Sequence, residues 1–213
     1  MTGLLAGVAA TLVTGAARAI TGVRGDWRSE IPEGPPRIYF ANHASHGDFV
    51  LIWTVLPRRL RRETRPVAGA DYWDVGRIRR FFGRSVFDAV LIDRRPEKRS
   101  GDPLAPLSAA IAAGRSLILF PEGTRNLTVE RLLPFKSGLY HLARAHPEAV
   151  PVPVWIENLN RVMPKGELVP IPLLCTVTFG PPLPVAAGED KAGYLGRARA
   201  ALLALAPGGE GAP

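Results

Sequence analysis

Hydrophobic and polar positions change their spacing along the chain, and the changes predict strands and helices in turn. The unbroken apolar run that follows Ser116 predicts a buried strand at 116–120, and residues 37–41 predict a short strand. Residues 48–56 open with an acidic residue and end before a proline, which predicts a helix. The predicted strands are residues 37–41, 66–69, 86–92, 116–120, 150–156 and 173–179, and the predicted helices are residues 48–56, 71–82, 103–113, 137–145 and 191–205. This alternation predicts an α/β fold with a mixed, largely parallel sheet flanked by helices.

The N-terminal segment, residues 1–23, is apolar and is separated from the first predicted strand by a proline-rich linker at 32–36. Apolar residues recur at every fourth position from Leu4 to Ile20, which predicts a helix with one apolar face. The uncharged part is shorter than the ~20 mostly apolar residues of a spanning helix. It also lacks the basic start of a secretory signal. We expect this helix either to dock on the domain or to lie in a membrane interface.

The charge balance is basic and favours an anionic partner. The 213 residues include 27 Lys and Arg against 19 Asp and Glu, a formal net charge of +8. Nucleic acid, an acidic lipid surface and a phosphorylated substrate all fit such a charge. The basic runs at 58–62 and 77–82 mix arginine with apolar residues, which suits anionic lipid, although a solvated charged face has the same pattern. The single cysteine, Cys175, excludes an internal disulfide and is predicted to be buried.

Candidate chemistry gathers in loops that follow predicted strands, where ligand sites of α/β folds lie. His43 and Asp48 share the loop after residues 37–41. Histidine is the side chain most readily used as a base near neutral pH, and a carboxylate on its second ring nitrogen fixes its tautomer. We expect Asp48 to fold back onto His43. The alternatives are a helix cap for Asp48 and a backbone-bonded loop residue for His43.

Cationic turns follow two further predicted strands. Arg94 and Arg95 follow residues 86–92, and residues 120–125 read Phe-Pro-Glu-Gly-Thr-Arg. Arginine beside a glycine-containing turn with free backbone N–H groups makes an anion cradle. Because these turns share a sheet edge with the His43 loop in the predicted fold, we expect an anion site next to the histidine.

These motifs, in this order, resemble those of the glycerolipid acyltransferase superfamily, in particular the bacterial 1-acyl-glycerol-3-phosphate acyltransferases. The matching segments are Asn-His-x-x-x-x-Asp at 42–48, Phe-Pro-Glu-Gly-Thr-Arg at 120–125, Phe-Lys-x-Gly at 135–138 and a Val-Pro-Val strand at 150–154. The family's second motif departs here, because residues 88–94 lack its glycine and phenylalanine. Arg94 aligns with the phosphate-binding arginine of that motif, and Arg95 beside it is a second candidate.

The resemblance implies an acyltransferase in which a histidine is the general base. Carried onto this sequence, His43 would take the proton of an acceptor hydroxyl, and Asp48 would orient His43. The residues implied to bind phosphate are Arg94, Glu122, Gly123, Thr124, Arg125 and Lys136, and the supporting residues are Asn42 and Ser45. The acyl group would arrive as a thioester on coenzyme A or acyl carrier protein. No cofactor and no metal are implied.

The patterns along the chain, together with the resemblance, predict a domain organisation and a location. The chain divides into an N-terminal membrane-interface or docking helix at 1–23, an acyltransferase domain at 24–206 and a flexible tail at 207–213. The implied acceptor is 1-acyl-glycerol 3-phosphate (lysophosphatidic acid), and the product is phosphatidic acid for phospholipid synthesis. The enzyme would lie on the cytoplasmic face of the membrane, bound peripherally or inserted shallowly.

Several alternatives to this activity are open. Glycerol 3-phosphate or a lysophospholipid could be the acceptor for the same chemistry. A metal hydrolase and a basic nucleic-acid-binding domain are rivals from other classes. The sequence contains neither a common metal-ligand spacing nor a nucleic-acid-binding motif. We therefore expect no nucleic-acid partner.

Overall fold

The computed structural model of the chain describes residues 2–30, 34, 36–93, 102–157 and 174–208. Within these ranges the strands are β1 (Arg24–Trp27), β2 (Arg37–Ala41), β3 (Thr64–Gly69), β4 (Val90–Ile92), β5 (Ser116–Leu119), β6 (Val150–Glu157) and β7 (Thr176–Phe179). The helices are α1 (Thr2–Thr21), α2 (Asp48–Val55), α3 (Arg58–Glu63), α4 (Ala70–Trp73), α5 (Arg77–Phe81), α6 (Ala105–Ala112), α7 (Gly138–Ala145), α8 (Lys191–Ala204) and a π-helical turn (Phe82–Val86).

The sheet is mixed and largely parallel, which confirms the predicted fold class. Its seven described strands have the order β1-β7-β6-β2-β5-β3-β4, and the pair β6–β7 alone is antiparallel. The register sets Tyr39 of β2 between Ile118 of β5 and Val152 of β6. Because β2, β5 and β3 run in one direction, their carboxyl ends meet at one edge of the sheet. The loops with the predicted chemistry begin at that edge.

Helices cover both faces of the sheet, and β2 is buried along its whole length. Successive residues of a strand point to opposite faces. Tyr39 belongs to the apolar cluster that contains Ile52 of α2, whereas Phe40 belongs to the cluster that contains Leu142 of α7 and Tyr194 of α8. The middle of the sheet is thus packed between two apolar layers, and the loop after β2 starts from a well-fixed strand.

The N-terminal helix α1 has two different faces. Small residues on one side, among them Ala10 and Val13, pack against the core. Larger apolar residues point outward, with Leu4 78% and Leu12 67% exposed. By length and composition alone, Gly3–Thr21 is sufficient to cross a membrane. The helix therefore docks on the domain and still presents an unpartnered apolar face.

The predicted helix at 71–82 is wrong in its continuity. Helix α4 ends at Trp73 and α5 begins at Arg77. Gly76, between them, has a φ of +80°, which lies outside the helical region and which glycine adopts without a steric penalty. The single periodic stretch is therefore two short helices with a turn between them.

The predicted strand at 86–92 is shorter than expected. The π-helical turn continues to Val86, and Asp88 then adopts a positive φ of 47°. Only Val90–Ile92 pairs with β3. Strand β1 and helix α3 were not predicted, because β1 has few apolar residues and α3 lies in an arginine-rich run that lacks apolar periodicity.

Further predictions concern the chain ends and the cysteine. Cys175 is fully buried, as predicted. Of the predicted tail at 207–213, residues 209–213 lie outside the described residues. The boundary at residue 23 stays a prediction, and α1 packs against both α2 and the π-helical turn.

Candidate active site

The loop after β2 brings His43 and Asp48 into direct contact, as expected. His43 Nδ1 lies 2.8 Å from Asp48 Oδ2. Asp48 is only 1% exposed, and the same oxygen accepts the backbone N–H groups of Ala44 at 2.7 Å and Ser45 at 2.8 Å. An ionised carboxylate only accepts hydrogen bonds, so Nδ1 carries the proton of a neutral imidazole. The lone pair of Nε2 is then available to accept a proton.

The loop is held in this shape by contacts at each end. Ser45 Oγ accepts the Gly47 N–H at 3.2 Å, within the turn itself. The Asn42 side chain donates to the Ile156 carbonyl oxygen at 3.0 Å and accepts the Ile156 N–H at 2.8 Å. Ile156 lies on β6, the parallel neighbour of β2. The Asn42 side chain therefore takes the place of a backbone partner for Ile156 of β6, directly after β2 ends.

Glu122 ties the loop after β5 to His43. Its Oε1 accepts the His43 N–H and its Oε2 accepts the Leu133 N–H, both at 2.8 Å. Asn126 donates its N–H to the His43 carbonyl oxygen at 2.6 Å, so both backbone groups of His43 are bonded. Burial raises the pKa of Glu122, while these hydrogen bonds and the nearby imidazole act in the opposite direction. Sequence reasoning put Glu122 at the phosphate; its observed contacts are those of a residue that positions His43.

Phe120 contacts the imidazole itself, which the sequence analysis missed. The two rings stack with their centroids 4.1 Å apart and their planes 15° from parallel. This stacking covers one face of the His43 ring and restricts its rotation. Phe120 opens the Phe-Pro-Glu-Gly-Thr-Arg segment, so the motif contained the signal, but its aromatic residue had been assigned to the buried strand.

Two cavities meet at His43. The larger has a volume of about 640 Å³. Its apolar lining includes Val67, Ile92, Leu104, Leu107, Leu119 and Leu142. The smaller has a volume of about 230 Å³ and a more polar lining that includes Asn42, Asp48, Glu122, Asn126 and Arg131. His43 lines both cavities, so its imidazole has an apolar space on one side and a polar space on the other.

The predicted anion-binding residues are brought together only in part. Gly123 has a φ of +72°, and a Cβ there would come within 3.2 Å of Lys136 Cγ, so the lysine stem packs over the glycine. Both residues line the larger cavity, and Lys136 is exposed. Thr124 and Arg125 follow on the same turn but line neither cavity. Arg125 is half-buried and has no hydrogen bond or ion pair with another described residue, so its guanidinium is available to a ligand.

Two other predictions from the sequence concern the second motif and metal binding. Arg94 and Arg95 lie outside the described residues. Across the ranges the structure covers, no group of three or more His, Cys, Asp or Glu could hold a metal ion. His46, which together with His43 and Asp48 would form the ligand cluster of the rival metal hydrolase, stacks on Tyr72 with ring centroids 4.8 Å apart.

The fold and the His43–Asp48 loop define a class of α/β domain with a histidine–aspartate pair where the central parallel strands end. A family model described as Acyltransferase matches residues 24–157, which is more than half of the chain. The chain belongs to this acyltransferase family.

Known proteins of this family resemble the chain over most of its length. A 1-acyl-sn-glycerol-3-phosphate acyltransferase of Cocos nucifera is 30% identical over 158 residues, covering 72% of this chain and 48% of that protein. One of Limnanthes douglasii is 32% identical over 159 residues, covering 68% and 50%. The chain thus spans about half the length of these curated relatives.

A solved structure shares the fold. The crystal structure of the 1-acyl-sn-glycerophosphate (LPA) acyltransferase PlsC from Thermotoga maritima matches with a TM-score of 0.68. The match covers 89% of this chain and 75% of that chain at 19% sequence identity. At this identity the likeness concerns the architecture of the sheet and its helices.

Proposed function

We propose that the chain transfers an acyl group from an acyl thioester to the free hydroxyl of 1-acyl-glycerol 3-phosphate, giving phosphatidic acid. The observation that carries the proposal is the position of His43, held by Asp48 at the junction of an apolar and a polar cavity. The names of the Cocos nucifera and Limnanthes douglasii relatives support this acceptor.

In this mechanism His43 Nε2 takes the proton of the acceptor hydroxyl while the hydroxyl oxygen attacks the thioester carbonyl carbon. Asp48 stabilises the imidazolium that forms. The tetrahedral intermediate collapses, the C–S bond breaks, and the proton passes from His43 to the departing thiolate. The products are the ester and the free thiol of the carrier. No covalent acyl-enzyme is required, and the general base accounts for a factor of ~10² to 10⁴.

The two cavities suggest where the substrates bind. The apolar cavity of about 640 Å³ suits the acyl chain of the donor, since each buried methylene contributes ~0.8 kcal/mol. The polar cavity suits the glycerol part of the acceptor. The phosphate of the acceptor would lie where the two cavities meet, because Lys136 lines the apolar cavity. Arg125, with Arg94 or Arg95, is the further phosphate-binding candidate that the family pattern implies. Coenzyme A and acyl carrier protein are the two candidate carriers of the donor acyl group.

The exposed face of α1 supports association with a membrane, where a lipid acceptor is found. Leu4, Leu5, Val8 and Leu12 are all more than half exposed. Such a face favours shallow insertion into the interface, with the domain peripheral to the bilayer. We place the domain on the cytoplasmic side, where acyl-CoA and acyl carrier protein are available.

A transfer assay with radiolabelled acyl-CoA and acyl carrier protein thioesters tests the proposal. The acceptors are 1-acyl-glycerol 3-phosphate, glycerol 3-phosphate and lysophosphatidylcholine, each with and without a chelator. We expect transfer to 1-acyl-glycerol 3-phosphate, unaffected by the chelator. His43→Ala should reduce it by at least the factor of ~10² to 10⁴. His146→Ala, at a histidine that directly follows α7 and pairs with Glu148, is the matched control.

Three results would count against the proposal. Normal turnover by His43→Ala would refute the mechanism. Transfer to glycerol 3-phosphate or lysophosphatidylcholine alone would refute the acceptor. Loss of activity with the chelator would refute the metal-free chemistry.

A further inference from the structure

A groove of about 510 Å³ lies between α1, α3 and the π-helical turn. Its charged lining residues are Arg58, Arg61, Arg62, Arg65, Arg84 and Asp88. Five cations therefore face a single acid in one concave surface. This groove shares no lining residue with either cavity at His43.

The groove and His43 also lie at opposite ends of the parallel strands. Helix α3 leads into the amino end of β3, and Arg65 is the second residue of that strand. The His43 loop follows the carboxyl end of β2. Because β2, β5 and β3 are parallel, the amino end of β3 and the carboxyl end of β2 lie at opposite ends of the strands. The arginines of the groove are thus separate from the predicted phosphate site of the transfer reaction.

The protein itself neutralises only part of this charge. Arg65 pairs with Asp88, and Arg84 binds Asp74 through two nitrogens. Arg61 donates to the carbonyl oxygens that end α2, so its charge has no acidic partner there.

Arg58 and Arg62 are exposed, and within the described residues neither forms an ion pair or a side-chain hydrogen bond. They stand four positions apart on α3, and such positions share one face of a helix. Two guanidinium groups are therefore free to bind one anion together.

Arg61 is a partly buried cation of this groove. The pKa of Arg61 is lowered by its burial, and further by the charges of Arg18 and Arg58. A bound anion would reverse this repulsion. A guanidinium matches the geometry of a phosphate with two parallel hydrogen bonds, which an ammonium group cannot do.

Apolar surface continues from the groove to the outside of the protein. Trp53, Phe87 and Ala10 line its interior. Leu4 and Val8, on the same helix as Ala10, are exposed beyond it. A ligand that combines a phosphate with a hydrocarbon chain fits these surfaces: the phosphate would contact the arginines, and the chain would contact the apolar lining and the exposed side chains of α1.

We propose that this groove binds the phosphate headgroup of one anionic phospholipid of the bilayer, with its acyl chains along the exposed face of α1. The site is a second lipid site, apart from the one where the acceptor reacts. It extends the membrane association proposed above and does not depend on acyl transfer.

Sedimentation of the full chain with vesicles tests the site without any turnover. Partition is measured on vesicles of phosphatidylcholine with and without phosphatidylglycerol, and their ratio is the preference for anionic lipid. We expect Arg58→Gln/Arg62→Gln to reduce this ratio about 30-fold, since each cation at an anionic surface contributes about a fivefold effect and the two effects multiply. The matched control, Arg144→Gln/Lys191→Gln, removes the same charge from exposed residues that line a different cavity, and should change it less than threefold.

A third variant distinguishes binding that requires the guanidinium geometry from binding that requires only positive charge. Arg58→Lys/Arg62→Lys keeps both charges but loses the planar forks, and we expect a several-fold loss of the preference. Vesicle binding by this variant equal to that of the unmodified chain would overturn the proposal, as would an equal loss in the control. Full competition by millimolar inorganic phosphate would also overturn it, because the site would then be one for a small anion.

Two safeguards keep these results interpretable. Circular dichroism verifies the fold of each variant. If Arg58→Gln/Arg62→Gln does not fold, vesicle binding by Arg58→Lys/Arg62→Lys alone tests the proposed lipid site. His43→Ala is expected to bind vesicles like the unmodified chain. A failure of the transfer reaction would therefore leave the result on the groove intact.

Discussion

Replacement of Asp48 by asparagine tests how much the buried charge contributes to the base. In the unmodified chain, Asp48 Oδ2 accepts His43 Nδ1 at 2.8 Å and the N–H groups of Ala44 and Ser45 at 2.7 and 2.8 Å. Asparagine has nearly the same shape, and its carbonyl oxygen, which has two lone pairs, can accept His43 Nδ1–H and one of the two backbone N–H groups. The variant therefore keeps the contact with His43, weakens one backbone hydrogen bond and loses the negative charge.

The expected magnitude follows from the distance between the charges. When His43 becomes an imidazolium, its charge and that of Asp48 are centred about 4 Å apart. At an effective dielectric constant of about 20, this attraction amounts to about 4 kcal/mol. Its loss from the transition state corresponds to a decrease in kcat of about 10³-fold. We expect the free energy of unfolding to fall by about 1–3 kcal/mol, since one buried N–H group loses its acceptor.

Initial rates of acyl transfer, together with urea unfolding, distinguish these two effects. Asp71→Asn is the matched control, because Asp71 is an exposed acid on α4. Activity of Asp48→Asn within tenfold of the unmodified chain would refute the electrostatic role of Asp48. A large loss of stability with a matching loss of activity would show that Asp48 acts through the fold.

Three further predictions concern other parts of the molecule. Burial raises the pKa of Glu122, so the folded state takes up a proton at higher pH than the unfolded state. The free energy of unfolding in urea, measured relative to Glu122→Gln, should therefore rise as the pH falls towards 4.5. A decrease over this pH range would contradict the raised pKa. Leu4→Gln/Val8→Gln/Leu12→Gln should weaken vesicle binding with little change in thermal stability, because these side chains are exposed; unchanged binding would exclude the α1 face as the membrane contact. Burial raises the pKa of the Cys175 thiol to about 11, so labelling by a thiol reagent at pH 8 should require unfolding, and rapid labelling of the native chain would contradict it.

The contact between His43 and Asp48 could be predicted because all of its parts lie in one loop. A strand end, a turn and the start of a helix are local features, and the backbone N–H groups that complete the site come from the residues between the pair. The sheet was predictable for a related reason, since each central strand is a continuous apolar run.

The contacts that brace His43 from outside its loop could not be predicted in the same way. Glu122 binds the His43 N–H across 79 positions of sequence. Such a contact depends on β2 and β5 being parallel neighbours in a particular register. The Phe-Pro-Glu-Gly-Thr-Arg pattern marks Glu122 as chemically important, but an isolated carboxylate beside a turn gives no information on whether it faces a ligand or a backbone amide.

The breaks in the predicted elements have local physical causes that outweigh periodicity. Gly76 stops a helical pattern that its neighbours would otherwise continue. Residues 82–86, which suit either a strand or a helix, adopt a π-helical turn that packs against α1. Sequence periodicity measures which side chains share a face; it does not measure which neighbouring element will cover that face.

The same distinction explains why neither the junction of the two cavities nor the arginine groove was predictable in detail. The apolar cavity needs α6, α7 and the ends of β3, β4 and β5 to surround one space beside His43. The groove needs α1 to lie across α3, so that arginines and apolar residues distant in sequence face one another. Both features arise from the packing of helices on the sheet. The His43–Asp48 pair therefore follows from a short stretch of sequence. The shape of the cavities that substrates would enter depends on the assembled fold.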